Sequence, residues 1–182
     1  MASRAGSGSG FGRFLLGFLS GLVLVVAGLT VYFKFGKPPV AVADKPFPFE
    51  QRMLRHPVNL RVDRELTGPP FGTSQDVFEA GAHIYMADCA SCHGTPQNDA
   101  PFAKHMYPKA PQLWKRGGQD NSIGITETET GRSYWKVAHG IRLTGMPAYS
   151  NTLTETQIWQ VTLLLKHAGD KLPDPVLAIL KQ

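Results

Sequence analysis

Cysteine is scarce in this chain: two residues in 182, at 89 and 92 of a single short stretch. That excludes a scaffold stapled by several disulfides. Charge is scarce as well, at 18% Asp, Glu, Lys and Arg. From Thr73 to Gln182 ten basic residues meet ten acidic ones, whereas Met1 to Gly72 holds nine against four, so the whole surplus of +5 lies in the first part. The later part has no basic patch on which to build nucleic-acid binding. Alternating apolar and polar strand patterns are missing there too, which points to an all-α unit. Neither a second cysteine pair nor a close histidine pair is present to complete a zinc site.

Against this, the sequence holds one long apolar run. Phe14 to Phe33 contains twenty residues without a charge. At 1.5 Å per residue they cover about 30 Å, the hydrocarbon thickness of a bilayer. Gly17 and Gly21 are spaced for close approach of another membrane helix, though small residues are also ordinary in a lone anchor. A cleaved signal peptide is the rival, because Ala41-Val42-Ala43 offers a cleavage site. The run exceeds the usual signal core, and Lys34, Lys37 and two prolines separate it from that site. An uncleaved transmembrane anchor at 14–33 is therefore expected, preceded by a cytoplasmic tail at 1–13.

Residues 34–72 hold seven prolines and no sustained helical period, the composition of an extended tether. Its flexible-chain reach would be roughly 35 Å. Arg52, Arg55, Arg61 and Arg64 within it serve solubility, or docking onto acidic lipid or protein. From Thr73 onward helical periods return. Val77, Phe78, Gly81, Ile84 and Tyr85 lead into Cys89, and a second helix covers Ser133 to Ala138, closed by Gly140. A third begins at Thr154, which forms a capping box with Gln157 beside a Leu153–Ile158 staple, and Gly169 marks its end. The expected folded unit is 73–170, with a C-terminal extension at 171–182.

The chemistry sits in Cys89-Ala90-Ser91-Cys92-His93. Two thiols three positions apart at a helix end can add to the two vinyl groups of one porphyrin, which holds the following histidine beneath the iron. A redox-active dithiol would need a strand-to-helix turn, and no strand precedes this motif. One covalent haem c is therefore expected, with His93 as an iron ligand.

The sixth ligand could come from His105, Met106, His139, Met146 or His167. Met106 follows His93 too closely to reach the opposite face readily. Met146 stands in a Gly-Met-Pro loop that can present a thioether rigidly, so it is the favoured ligand. A His/Met pair raises the reduction potential and fills both axial positions, which favours electron transfer over oxygen or peroxide chemistry.

With these residues in hand, the chain resembles class I monohaem cytochromes c, of the bacterial membrane-anchored type, over about Asp76 to Ala168. Gly81-x-x-x-Tyr85-x-x-x-Cys89-x-x-Cys92-His93-Gly94, Gly145-Met146-Pro147-Ala148 and Leu153-Thr154-Glu155-x-x-Ile158-Trp159-x-Val161 resemble that family's first helix and haem site, distal loop and last helix, in the same order. The resemblance implies a haem domain of three main helices with long loops. It also implies that the first and last helices cross at Gly81, against Trp159 or a neighbour. The carbonyl of Pro111, or failing that Pro108, would accept a hydrogen bond from His93, and Trp135, Arg142 and Tyr149 become candidates to meet the haem propionates.

The loop from Gly94 to Ser133 is longer than in compact mitochondrial cytochromes and closer to bacterial single-haem domains, free, tethered or fused to oxidases. The expected function is that of an electron carrier rather than an enzyme, in the bacterial inner membrane with its haem domain in the periplasm. Its partners would be the membrane and redox proteins such as a quinol-oxidising complex or a terminal oxidase, with no nucleic acid and no small-molecule substrate. A cytochrome subunit of a larger oxidoreductase is the first alternative. A small haem peroxidase or gas sensor is the second.

Overall fold

The computed structural model describes residues 8–117, 121–126 and 129–181. The first residues of the expected tail, part of the long loop and its acidic run, and Gln182 lie outside them. The chain divides into two units, Met1–Lys45 and Pro46–Gln182.

The first unit is essentially one helix, α1, Gly8–Phe35. Its stretch Gly10–Phe35 is long and apolar enough to cross a membrane, and none of that stretch is buried. Leu, Val, Phe and Ala side chains all round the cylinder leave no polar face to set against water, the pattern of a lipid-spanning helix. Thr30 turns its hydroxyl inward and donates to Val26 O at 2.8 Å, so this polar group is satisfied within the helix.

In the second unit every regular element among the described residues is a helix, apart from a single isolated bridge between Gly117 and Ser122. Its helices are α2 (Glu50–Arg64), α3 (Gln75–Ile84), α4 (Ala90–His93), α5 (Thr130–His139), α6 (Glu155–Lys166) and α7 (Asp174–Ile179), with a π-helical turn at Tyr85–Cys89 between α3 and α4. Three of them, α3, α5 and α6, are the main helices of the haem domain that the sequence implies.

α6 is the centre of the core. Thr154 Oγ1 accepts from Gln157 N at 3.3 Å while Gln157 Oε1 accepts from Thr154 N at 2.8 Å, completing the capping box. Ile158, Trp159, Val161, Leu163, Leu164 and Leu165 are buried, so the helix is apolar on every side, as a core helix must be. It ends at Lys166 with His167 as its last capping residue, ahead of Gly169. α3 crosses it at Gly81, where a Cβ would lie 2.5 Å from Gln160 O. Gln160 and Leu164, neighbours of Trp159, thus occupy the crossing; Trp159 itself stacks on Tyr134 of α5 at 4.1 Å.

Two segments depart from the sequence reading. Residues 50–64, expected to be extended, form α2 with Pro57 inside it. α2 has no apolar stripe, and contacts with α5 hold it in place. Val62 is fully buried, Arg132 pairs with Asp63, and Trp135 Nε1–H donates to Glu65 Oε2 at 2.7 Å. Arg61 lies over the Trp135 ring at 5.7 Å and bonds Glu65 at 3.0 Å. Likewise the stretch taken as a C-terminal extension carries α7, whose Val176, Ile179 and Leu180 join Leu172 in the main core cluster. One and a half turns after a proline are too short to register as a period; burial against the neighbouring helices makes them helical.

Candidate functional site

The Cys89–His93 motif is placed by the end of α3. Tyr85 is fully buried, sits edge-on to Trp114 at 5.5 Å, and donates from its hydroxyl to Gly94 O at 2.7 Å. That bond ties the start of the motif's helix to the residue after His93. Between them the helix widens into the π turn Tyr85–Cys89, a local expansion often found at functional sites. Gly94 ends α4 at φ 77°, and a Cβ there would lie 2.6 Å from Gln112 Oε1.

Cys89, Cys92, His93, Pro111, Met146 and Tyr149 all line one cavity of about 680 Å³, within the roughly 300–1,000 Å³ range of ligand and cofactor sites. Leu113, Ile125, Val137, Ile141, Val161 and Leu165 supply much of its apolar wall. No disulfide joins the two cysteines. Burial, with the charges of Asp88 and Cys92 adding to it, pushes the Cys89 thiol up to about 12. This is the reverse of the acidic attacking thiol in a dithiol oxidoreductase.

His93 Nδ1 lies 2.8 Å from Pro111 O. A carbonyl only accepts, so Nδ1 carries the proton and Nε2 keeps its lone pair in the neutral ring. Burial holds the imidazole pKa below its ordinary value, opposed by the bond to Pro111. The neutral, ligating form is thus the one this environment favours. Gln112 braces this loop: its Nε2 donates to Cys92 O at 3.1 Å and to Ala110 O at 3.3 Å, and its Oε1 accepts from Ala100 N at 2.7 Å. Leu113 N completes the seam by donating to His93 O at 3.1 Å. The sequence reading passed over Gln112; a lone glutamine in a loop carries no signal until its three partners are brought together.

On the distal loop, α5 stops at Gly140 with φ 67°, where a Cβ would lie 2.9 Å from Met146 O and 2.7 Å from Ala148 N. Ile141 N donates to Met146 O at 3.2 Å and Met146 N donates to Thr144 Oγ1 at 3.1 Å, folding the loop tightly. Met106 also lines the cavity, its methyl in the space a Cβ at Gly145 would need. It comes nearer to the distal loop than its sequence position implies.

The remaining ligand candidates lie elsewhere. His139 stacks on Trp135 at 4.5 Å, His167 bonds Asp170 at 2.7 Å, and His105 is exposed in a 3₁₀ turn; none lines the cavity. Of the propionate candidates, Tyr149 lines it with its hydroxyl donating to Asp88 O at 2.7 Å, Trp135 is committed to Glu65, and Arg142 is exposed outside it.

The donor set suits a covalently held haem: two thiols for thioether links, an oriented imidazole, a thioether and an apolar wall. Residues 76–164 match the protein family described as "Cytochrome C oxidase, cbb3-type, subunit III". No curated protein and no solved structure matches the chain.

Proposed function

Residues 76–164 form a monohaem class I cytochrome c domain that carries covalent haem c, and we propose that the chain is a membrane-anchored one-electron carrier with His93 and Met146 as axial ligands. The observation that carries this reading is the gathering of both thiols, the oriented imidazole and the Gly-Met-Pro loop around one apolar-walled cavity. When bound, haem c supplies a reversible one-electron couple. Cys89 and Cys92 hold it by thioether links, so the cofactor stays through many turnovers. His93 is oriented by Pro111 and Gln112, and that hydrogen bond strengthens the imidazole as a donor. Met146 raises the reduction potential and closes the distal side to small molecules. The apolar walls exclude water and restrict exchange to the exposed edge of the group.

The apolar helix α1 supports a single-pass anchor. Attachment of haem takes place outside the cytoplasm, which puts the haem domain in the periplasm and the anchor in the bacterial inner membrane. With α2 held on α5, residues 36–49 remain as the flexible link. Its reach is roughly 20 Å rather than roughly 35 Å, which favours a redox partner in the same membrane by raising its effective concentration.

Replacing Met146 with Ala tests the ligand pair. The expected result is a lower midpoint potential, loss of the thioether-to-ferric-iron absorption band, and rapid carbon monoxide binding by the reduced protein. Met106→Ala should leave all three as they were. An unchanged spectrum and potential in Met146→Ala would overturn the assignment.

The family's description favours a second reading, a cytochrome subunit of a respiratory oxidase. Purification in mild detergent separates the two: stable company with haem–copper subunits supports the subunit, and a lone chain supports the carrier.

A further inference from the structure

Four cations line the cavity: Lys109, Lys115, Arg116 and Lys136. The first three are exposed, and Lys115 already pairs with Asp99 at 2.8 Å. Lys136 differs from them. It is half-buried on α5, next to Val137, which lines the same cavity and belongs to the core. No carboxylate among the described residues lies within ion-pair distance of it. Arg132 on its own helix and Arg55 on α2 are close enough to repel it. Glu129, which lines the same cavity, attracts it more strongly than either arginine repels it, but Oε2 of that carboxylate is engaged by the Thr126 hydroxyl at 3.2 Å and the Thr126 amide at 3.3 Å.

A half-buried ammonium among other cations is costly unless an anion meets it. Burial, opposed by Glu129 and reinforced by the two arginines, holds its pKa below the ordinary lysine value. The groups that the sequence offered for this task are spent or absent: Trp135 donates to Glu65, Tyr149 donates to Asp88 O, and Arg142 is outside the cavity.

We propose that Lys136 is the residue that meets a haem propionate. It lines the haem cavity half-buried and, among the described residues, has no carboxylate within ion-pair distance, while the propionates are the only carboxylates the cofactor brings. The assignment rests on the haem c reading above. It also gives α2 a part in the site, since Arg55 adds to the positive potential at that edge.

The test uses the full-length haem-loaded chain in detergent and reads midpoint potential. Removing the lysine charge leaves the propionate uncompensated, and a negative carboxylate near the iron favours the ferric state. Lys136→Met should therefore shift the potential downward, Lys136→Arg should keep it near the parent value, and Lys109→Met should leave it in place. Lys136→Gln, close in length and uncharged, carries the same expectation if the Met variant fails to load haem. A potential unchanged in the uncharged variants, or a fall of equal size in Lys109→Met, would overturn the assignment while leaving the cytochrome intact. A parent chain without covalent haem would overturn both.

Discussion

Two contacts in the haem unit are built on the same device, a glycine facing a backbone carbonyl. At the α3–α6 crossing, a Cβ on Gly81 would lie 2.5 Å from Gln160 O; where the chain leaving α2 passes α5, a Cβ on Gly131 would lie 2.5 Å from Thr67 O. Around Gly81 everything is core: Ala82 and Leu164 are fully buried, and helices occupy both sides. Around Gly131 one partner is the exposed stretch following α2, which can shift. The first contact holds the attachment motif against the core. The second lies where the chain leaving α2 rests on α5. Equal local geometry therefore carries unequal energy, because rigidity belongs to the surroundings.

The largest expected effect comes from Gly81→Ala. Overpacking against helix backbone should cost about 3 kcal/mol, outweighing the ~1 kcal/mol that Ala gains over Gly in a helix. The thermal midpoint of the whole haem unit should fall; a midpoint equal to the parent's would mean that the crossing tolerates a side chain. Val62→Ala comes next, at about 1.5 kcal/mol for two buried methyl groups. Here the loss should be local: protease cuts near α2 become faster while the haem spectrum holds. Global unfolding in step with those cuts would erase the distinction between the two contacts.

Gly131→Ala should be milder, about 1 kcal/mol, because the chain at Thr67 can move aside. A cost matching that of Gly81→Ala would show that this stretch is as rigid as α6. The smallest effect concerns Glu65. The Trp135 N–H, and then Arg61, hold its carboxyl below the ordinary carboxylate range, with burial opposing. A depressed pKa gives stability that is fully present above the unfolded value of about 4.3 and lost as pH falls through the lower folded value. α2 should accordingly loosen in acid, read as faster cleavage below about pH 4. Glu65→Gln should flatten that dependence, and an unaltered acid profile would assign it to other groups.

Much of this site was legible as local sequence. Cys89-Ala90-Ser91-Cys92-His93 needs five consecutive residues, and the Thr154–Gln157 capping box needs four, so neighbours alone carry the information. Pro111 was reached through family resemblance, and its carbonyl lies 2.8 Å from His93 Nδ1. α2 and α7 were not legible. Their prolines and short apolar patterns read as linker, and helix forms because Val62, Val176 and Leu180 find buried partners.

Lys136 and Gln112 show the same limit within the site. Nothing about either residue type at either position marks it; burial beside the cavity and three convergent hydrogen bonds do.

By itself, then, the amino-acid order determined the apolar anchor, the attachment motif and the identity of the main helices, since each depends on residues a few positions apart. Tertiary structure alone decided that α2 belongs to the haem unit, that α7 packs into its core, and that Lys136 is half-buried beside the cavity. Those outcomes depend on desolvation and on contacts between residues as far apart as Glu65 and Trp135, and such energies exist only once the chain has folded.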